Sequence, residues 1–87
     1  MKNILITGAN RGIGLMFAQS FADIVNTVYA TTRDINNCDE LKKIKNIEIL
    51  ELDLLDKNSI KSFCAEVKDI PFDLILNNAG TFQDEQM

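Results

Sequence analysis

Short apolar runs alternate with stretches of helical period along this chain, and glycine, asparagine and proline separate them. Lys2 to Thr7 forms the first run, unbroken at Ile4-Leu5-Ile6, which is the pattern of a parallel strand buried on both faces. Ile13, Met16, Phe17, Phe21 and Ile24 then recur at helical spacing and predict a helix whose apolar stripe belongs to the core. Thr27 to Thr31 is β-branched and aromatic, a second strand, while Asp39 to Ile44 places Leu41 and Ile44 on one side of a short helix. A third strand spans Ile47 to Leu52. Asp56 then caps a helix in which Ile60, Phe63, Cys64 and Val67 share a face, and Pro71 stops it. Phe72 to Leu76 completes the set as a fourth strand.

Four strands alternating with three helices predict an α/β fold, a doubly wound parallel sheet in the order 3-2-1-4. In that order the chain reverses direction across the sheet between strands 1 and 4, and ligands bind in the crevice this opens at the carboxyl ends. Strand 4 is then an edge carrying Leu74, Ile75 and Leu76, which invites pairing with another chain and predicts an oligomer. Residues 1–80 read as one domain and residues 81–87 as a polar tail without pattern.

Composition narrows the chemistry. At 87 residues and 46% apolar content the chain fills one small core and not two. A net charge of −4 argues against nucleic acid, which needs clustered cations. Histidine is absent, which removes zinc-bound water and the usual Ser-His or Cys-His nucleophiles. Cys38 and Cys64 lie in different elements outside any CxxC pair, so both read as reduced structural thiols of a cytoplasmic protein. The apolar start breaks at Thr7-Gly8, too early for a signal peptide, and no later run has membrane-spanning length.

The strongest chemical signal is Thr7-Gly8-Ala9-Asn10-Arg11-Gly12-Ile13-Gly14, between the first strand and the first helix. A helix N-terminus offers unpaired N–H groups and the positive end of its dipole to a phosphate, provided side chains do not block the approach. Gly8 permits the sharp exit from the strand, Gly12 lets backbone come close to phosphate, and Gly14 lets the helix pack on the sheet. Three glycines can also make only a turn and a helix cap. The flanking strand and helix favour phosphate.

This G-x-x-x-G-x-G spacing, the Asp53-Leu54 pair after strand 3 and Asn77-Asn78-Ala79-Gly80 after strand 4 together resemble the short-chain dehydrogenase/reductase family along the whole chain. The resemblance implies a Rossmann sheet that binds NAD or NADP and transfers hydride between carbonyl and alcohol. It implies that Gly8, Gly12 and Gly14, with the backbone of Asn10, Arg11 and Ile13, hold the pyrophosphate. Asp53 would take the adenine amine with Leu54 beside the ring, the alternative for Asp53 being a solvated loop carboxylate. Asn78, Ala79 and Gly80 would lie under the coenzyme and tie strand 4 to its neighbours, although Asn78 alone could be a turn residue tolerating unusual dihedrals.

At the end of strand 2 an NAD enzyme places a carboxylate on the ribose hydroxyls. This chain has Thr32 there, followed by Arg33, whose planar fork matches phosphate oxygens, with Arg11 in reach of the same region. NADP(H) is therefore favoured over NAD(H). A surface pairing of Arg33 with Asp34 is the alternative. The family's catalytic serine and Tyr-x-x-x-Lys are missing, since the single tyrosine, Tyr29, falls in strand 2, where it packs in the sheet. Two functions remain open: the coenzyme-binding part of a reductase, whose small-molecule substrate requires a C-terminal half, and a non-catalytic nucleotide-binding or interaction module, or a degenerate truncated product.

Overall fold

The computed structural model describes residues 2–10 and 12–78. Four parallel strands, β1 (Asn3–Ile6), β2 (Thr27–Thr32), β3 (Ile47–Glu51) and β4 (Leu74–Leu76), pair in the order β3-β2-β1-β4. Three helices, α1 (Gly12–Phe21), α2 (Asp39–Lys42) and α3 (Lys57–Val67), fill the crossovers. The result is the expected Rossmann-like arrangement, with strand ends within two residues of those read from the sequence and β2 running one residue further, to Thr32.

Alternation along β1 assigns the two layers. Ile4 and Ile6 point to one face, where they join Val28, Ala30, Ala18 and Leu41 in a core beneath α1 and α2. Leu5 points to the other and packs with Leu52 and Phe63 beneath α3. Both faces of β1 are thus dry, which is why its sequence is apolar without a break. Tyr29 lies on the α3 face with its ring edge-on to Phe72, centroids 5.3 Å apart, so it is a packing residue as expected.

Asp56 caps α3, its Oδ1 accepting from the N–H groups of Asn58 at 2.9 Å and Ser59 at 3.4 Å, an arrangement that contributes about 1 kcal/mol. At the amino end of the sheet Asp73 accepts from the N–H groups of Lys2 (2.7 Å) and Asn3 (3.0 Å), joining the start of β1 to the approach of β4. Asn46, just before β3, donates to the carbonyls of Ala22, Val25 and Asn26 and holds the turn that follows α1.

The α1 stripe is a correction. Ile13, Met16, Phe17 and Ile24 are exposed, Ile13 at 60% and Met16 at 56%, and Ile24 lies past the end of the helix; Phe21 alone of the five packs against the core. The face on the sheet is instead Gly14, Ala18 and Ala22, flanked by Leu15 and Phe21. The glycine turn dictates this orientation. A Cβ on Gly14 would collide with the Gly8 carbonyl oxygen, so only the small-residue face can approach at the point where the chain enters the helix. Cys64 is likewise exposed, although Ile60, Phe63 and Val67 of the same helix pack as expected.

Candidate functional site

The crevice at the carboxyl ends of β1 and β4 is assembled from the glycine turn outward. Gly8 and Gly12 both adopt φ of +63°, in the left-handed region that residues with a Cβ avoid. Register does the rest. Ile6 pairs with Ala30, so the next step of β2, Thr31, arrives beside the turn as it leaves β1. There its hydroxyl accepts the Gly8 N–H at 3.0 Å and its carbonyl accepts the Ala9 N–H at 2.9 Å.

The other side of the turn is braced by the end of β4. Asn78 donates through Nδ2 to the Gly8 carbonyl at 3.0 Å and through its backbone N–H to Thr7 Oγ1 at 2.9 Å, while that hydroxyl donates to Asn77 Oδ1 at 3.1 Å. Asn78 is therefore a brace. The unusual-dihedral alternative fails, because among the described residues positive φ is confined to glycine. Gly14 makes room for this brace, since its added Cβ would also meet Asn78 Nδ2 at 2.7 Å.

α1 starts at Gly12, and its first N–H groups, those of Gly12, Ile13 and Gly14, have no partner within the helix. No acidic residue stands in its first turn, and a Cβ added to Gly12 would meet nothing within 4 Å. The turn thus fits a pyrophosphate, offering open backbone donors with no carboxylate to oppose them.

Thr32 ends β2 almost fully buried, with Oγ1 accepting the Asp34 N–H at 3.1 Å. Its hydroxyl shapes the exit from the strand, and Arg33 follows it into solvent. The Arg33–Asp34 pairing is not formed: the ion pairs among the described residues are Lys43–Glu40 and Lys45–Asp23. Asp53 sits at the exit of β3, where Oδ1 accepts the Leu55 N–H at 3.0 Å and its own N–H donates to Ser59 Oγ at 2.9 Å. Leu54 beside it is exposed. Arg11, Ala79 and Gly80 lie outside the described residues.

Sequence reasoning missed Thr31. Its signal was positional, being the first residue of β2 past the rows paired with β1 once the strand order is known. A cavity of about 280 Å³ also opens along α3, but Glu51, Asp53, Asp56 and Glu66 line it, so its charge opposes a phosphate. Among the described residues no cluster of metal-ligating side chains exists, and no helix is long and apolar enough to cross a membrane.

Comparison with known proteins places these features in context. The family model for short chain dehydrogenase matches residues 2–87. A 3-amino-tetrahydro-pyrrolizinone reductase of Xenorhabdus hominickii is 39% identical over 83 residues, covering 91% of this chain and 28% of that protein. Human retinol dehydrogenase 13 is 31% identical over 91 residues, covering 94% and 28%. Among solved structures, a carbonyl reductase of Pseudomonas aeruginosa PAO1 in complex with NADP superposes with a TM-score of 0.79 at 27% identity, covering 92% of this chain and 39% of that one. The chain therefore spans between 28% and 39% of the length of these relatives. Sequence match, strand order and the braced glycine turn agree, and the chain belongs to the short-chain dehydrogenase family.

Proposed function

We propose that this chain is the NADP(H)-binding part of a reductase-type oxidoreductase of the cytoplasm. The observation that carries the coenzyme choice is Arg33, exposed and without an ion pair among the described residues, at the strand end where Thr32 replaces the carboxylate of an NAD site. Its guanidinium would take the 2′-phosphate, joined by Arg11 from the glycine turn. The α1 N-terminus would hold the pyrophosphate, with Asp53 and Leu54 at the adenine and Asn78 to Gly80 beneath the coenzyme. The chemistry that the bound coenzyme supplies is hydride transfer. That the P. aeruginosa carbonyl reductase was solved with NADP supports the choice. The catalytic serine, the Tyr-x-x-x-Lys and the small-molecule substrate site are assigned to polypeptide beyond these residues, to be sought by translating the reading frame past Met87.

Calorimetric titration with NADPH and NADH tests the assignment. NADPH should bind more tightly, and Arg33→Asp should lower its affinity by at least about tenfold, the loss of a charge-assisted contact, while NADH changes little. Equal affinities in the unaltered chain would overturn it.

A second role is favoured by the open side of β4, where Ile75 is 57% exposed. Such an edge pairs with another chain, giving an oligomer in sedimentation. A stable monomer would oppose this.

A further inference from the structure

The segment that carries Arg33 is a closed turn. At its base the Asp34 N–H is held by Thr32 Oγ1 at 3.1 Å; across it the Asn37 N–H donates to the Asp34 carbonyl at 3.1 Å; and the buried Cys38 thiol donates to the Ile35 carbonyl at 3.3 Å. One bond ties the far end of this turn to the glycine turn: Asn10 Nδ2 donates to the Asn37 carbonyl at 3.0 Å. Asn10 is a member of the glycine turn, one residue past the Ala9 N–H that Thr31 holds. The two phosphate-facing loops are therefore joined twice, at their roots by Thr31 and at their tips by Asn10.

We propose that Asn10 is a positioning residue for coenzyme discrimination: its amide straps the Arg33-bearing turn to the glycine turn and fixes the spacing between the 2′-phosphate and pyrophosphate contacts. This rests on the coenzyme assignment above and adds to it a residue whose side chain acts through Arg33. A dinucleotide phosphate presents its two anionic groups at a fixed separation, so a loop already held at that spacing loses less freedom on binding. NADH makes no use of Arg33, so it gains nothing from the strap.

The experiment compares NADPH and NADH affinities for the 87-residue chain, for Asn10→Ala, for Arg33→Ala and for the double variant, with hydrogen exchange measured on the coenzyme-free proteins. Asn10→Ala should lower the NADPH-to-NADH affinity ratio about fivefold, the effect of one hydrogen bond. In the Arg33→Ala background the same change should leave the ratio unaltered, since the strap has nothing left to position. Without coenzyme, Asn10→Ala should accelerate exchange at the Asp34 and Asn37 amides and leave that of Ile4 to Ile6 unchanged. An equal loss of both coenzymes' affinity, or a ratio that falls as far in the double variant, would overturn the strap while leaving NADP(H) binding intact. No NADPH preference in the unaltered chain would overturn the coenzyme assignment instead. The strap would then be judged by exchange alone, and unchanged exchange at Asp34 and Asn37 overturns it in every case.

Discussion

The glycine turn and the open side of β4 both adjoin β1, yet one is braced by its neighbours and the other carries apolar side chains into water. Gly8 has its N–H on Thr31 and its carbonyl on Asn78, so strands β2 and β4 grip the same residue from opposite sides. Beyond β4 there is no further strand among the described residues, and Ile75, Met16 and Ile13 stand in solvent. The glycine turn is thus gripped by both neighbouring strands. The open side of β4 has no such partner among the described residues.

Substitutions on the two sides should therefore differ sharply, and Gly14→Ala should be the most damaging. Its methyl group meets backbone at Gly8 and displaces Asn78, and overpacking of this kind costs about 3 kcal/mol, read as a fall in urea unfolding free energy. Asn78→Ala removes one arm of the grip and should cost about 1 kcal/mol by the same assay. Met16→Lys, on the exposed stripe, should change stability by less than about 0.5 kcal/mol, and a loss as large as that of Asn78→Ala would mean that the stripe is already covered.

The smallest effect is electrostatic, at the other end of β1. Bonds from the backbone of Asn3 and then Lys2 lower the Asp73 pKa below its ordinary 3.8. A depressed folded value means that the stabilisation is complete above the ordinary carboxylate range and is lost as pH falls through the folded one. Acid unfolding of Asp73→Asn should accordingly be less steep below about pH 4 than that of the unaltered chain.

Strand order was legible because Ile4-Leu5-Ile6 and its counterparts are local patterns, and alternation of strand and helix leaves few topologies open. The glycine turn was legible for the same reason. The outward face of α1 was not. Ile13, Met16 and Phe17 obey the rule for a buried stripe, and what turns them out is a contact between Gly14 and Gly8 that depends on how tightly the chain bends at φ +63°. Thr31 escaped notice because a threonine near the end of a strand has no local mark of its role, which comes from the register of β2 against β1. Asn10 was read for its backbone, and its amide gained meaning only once the turn at Asn37 lay beside it.

The pairing of β1 with β4 also sets the order in which the molecule can be completed. Ile4 to Ile6 are made first, but their second neighbour, Leu74 to Leu76, is some seventy residues away, and so is the Asp73 that holds Lys2 and Asn3. Contacts of that separation form slowly, because most of the chain must be ordered before they close. On a ribosome β1 waits for nearly the whole of this segment to emerge, so the first of these four strands is among the last to be sealed.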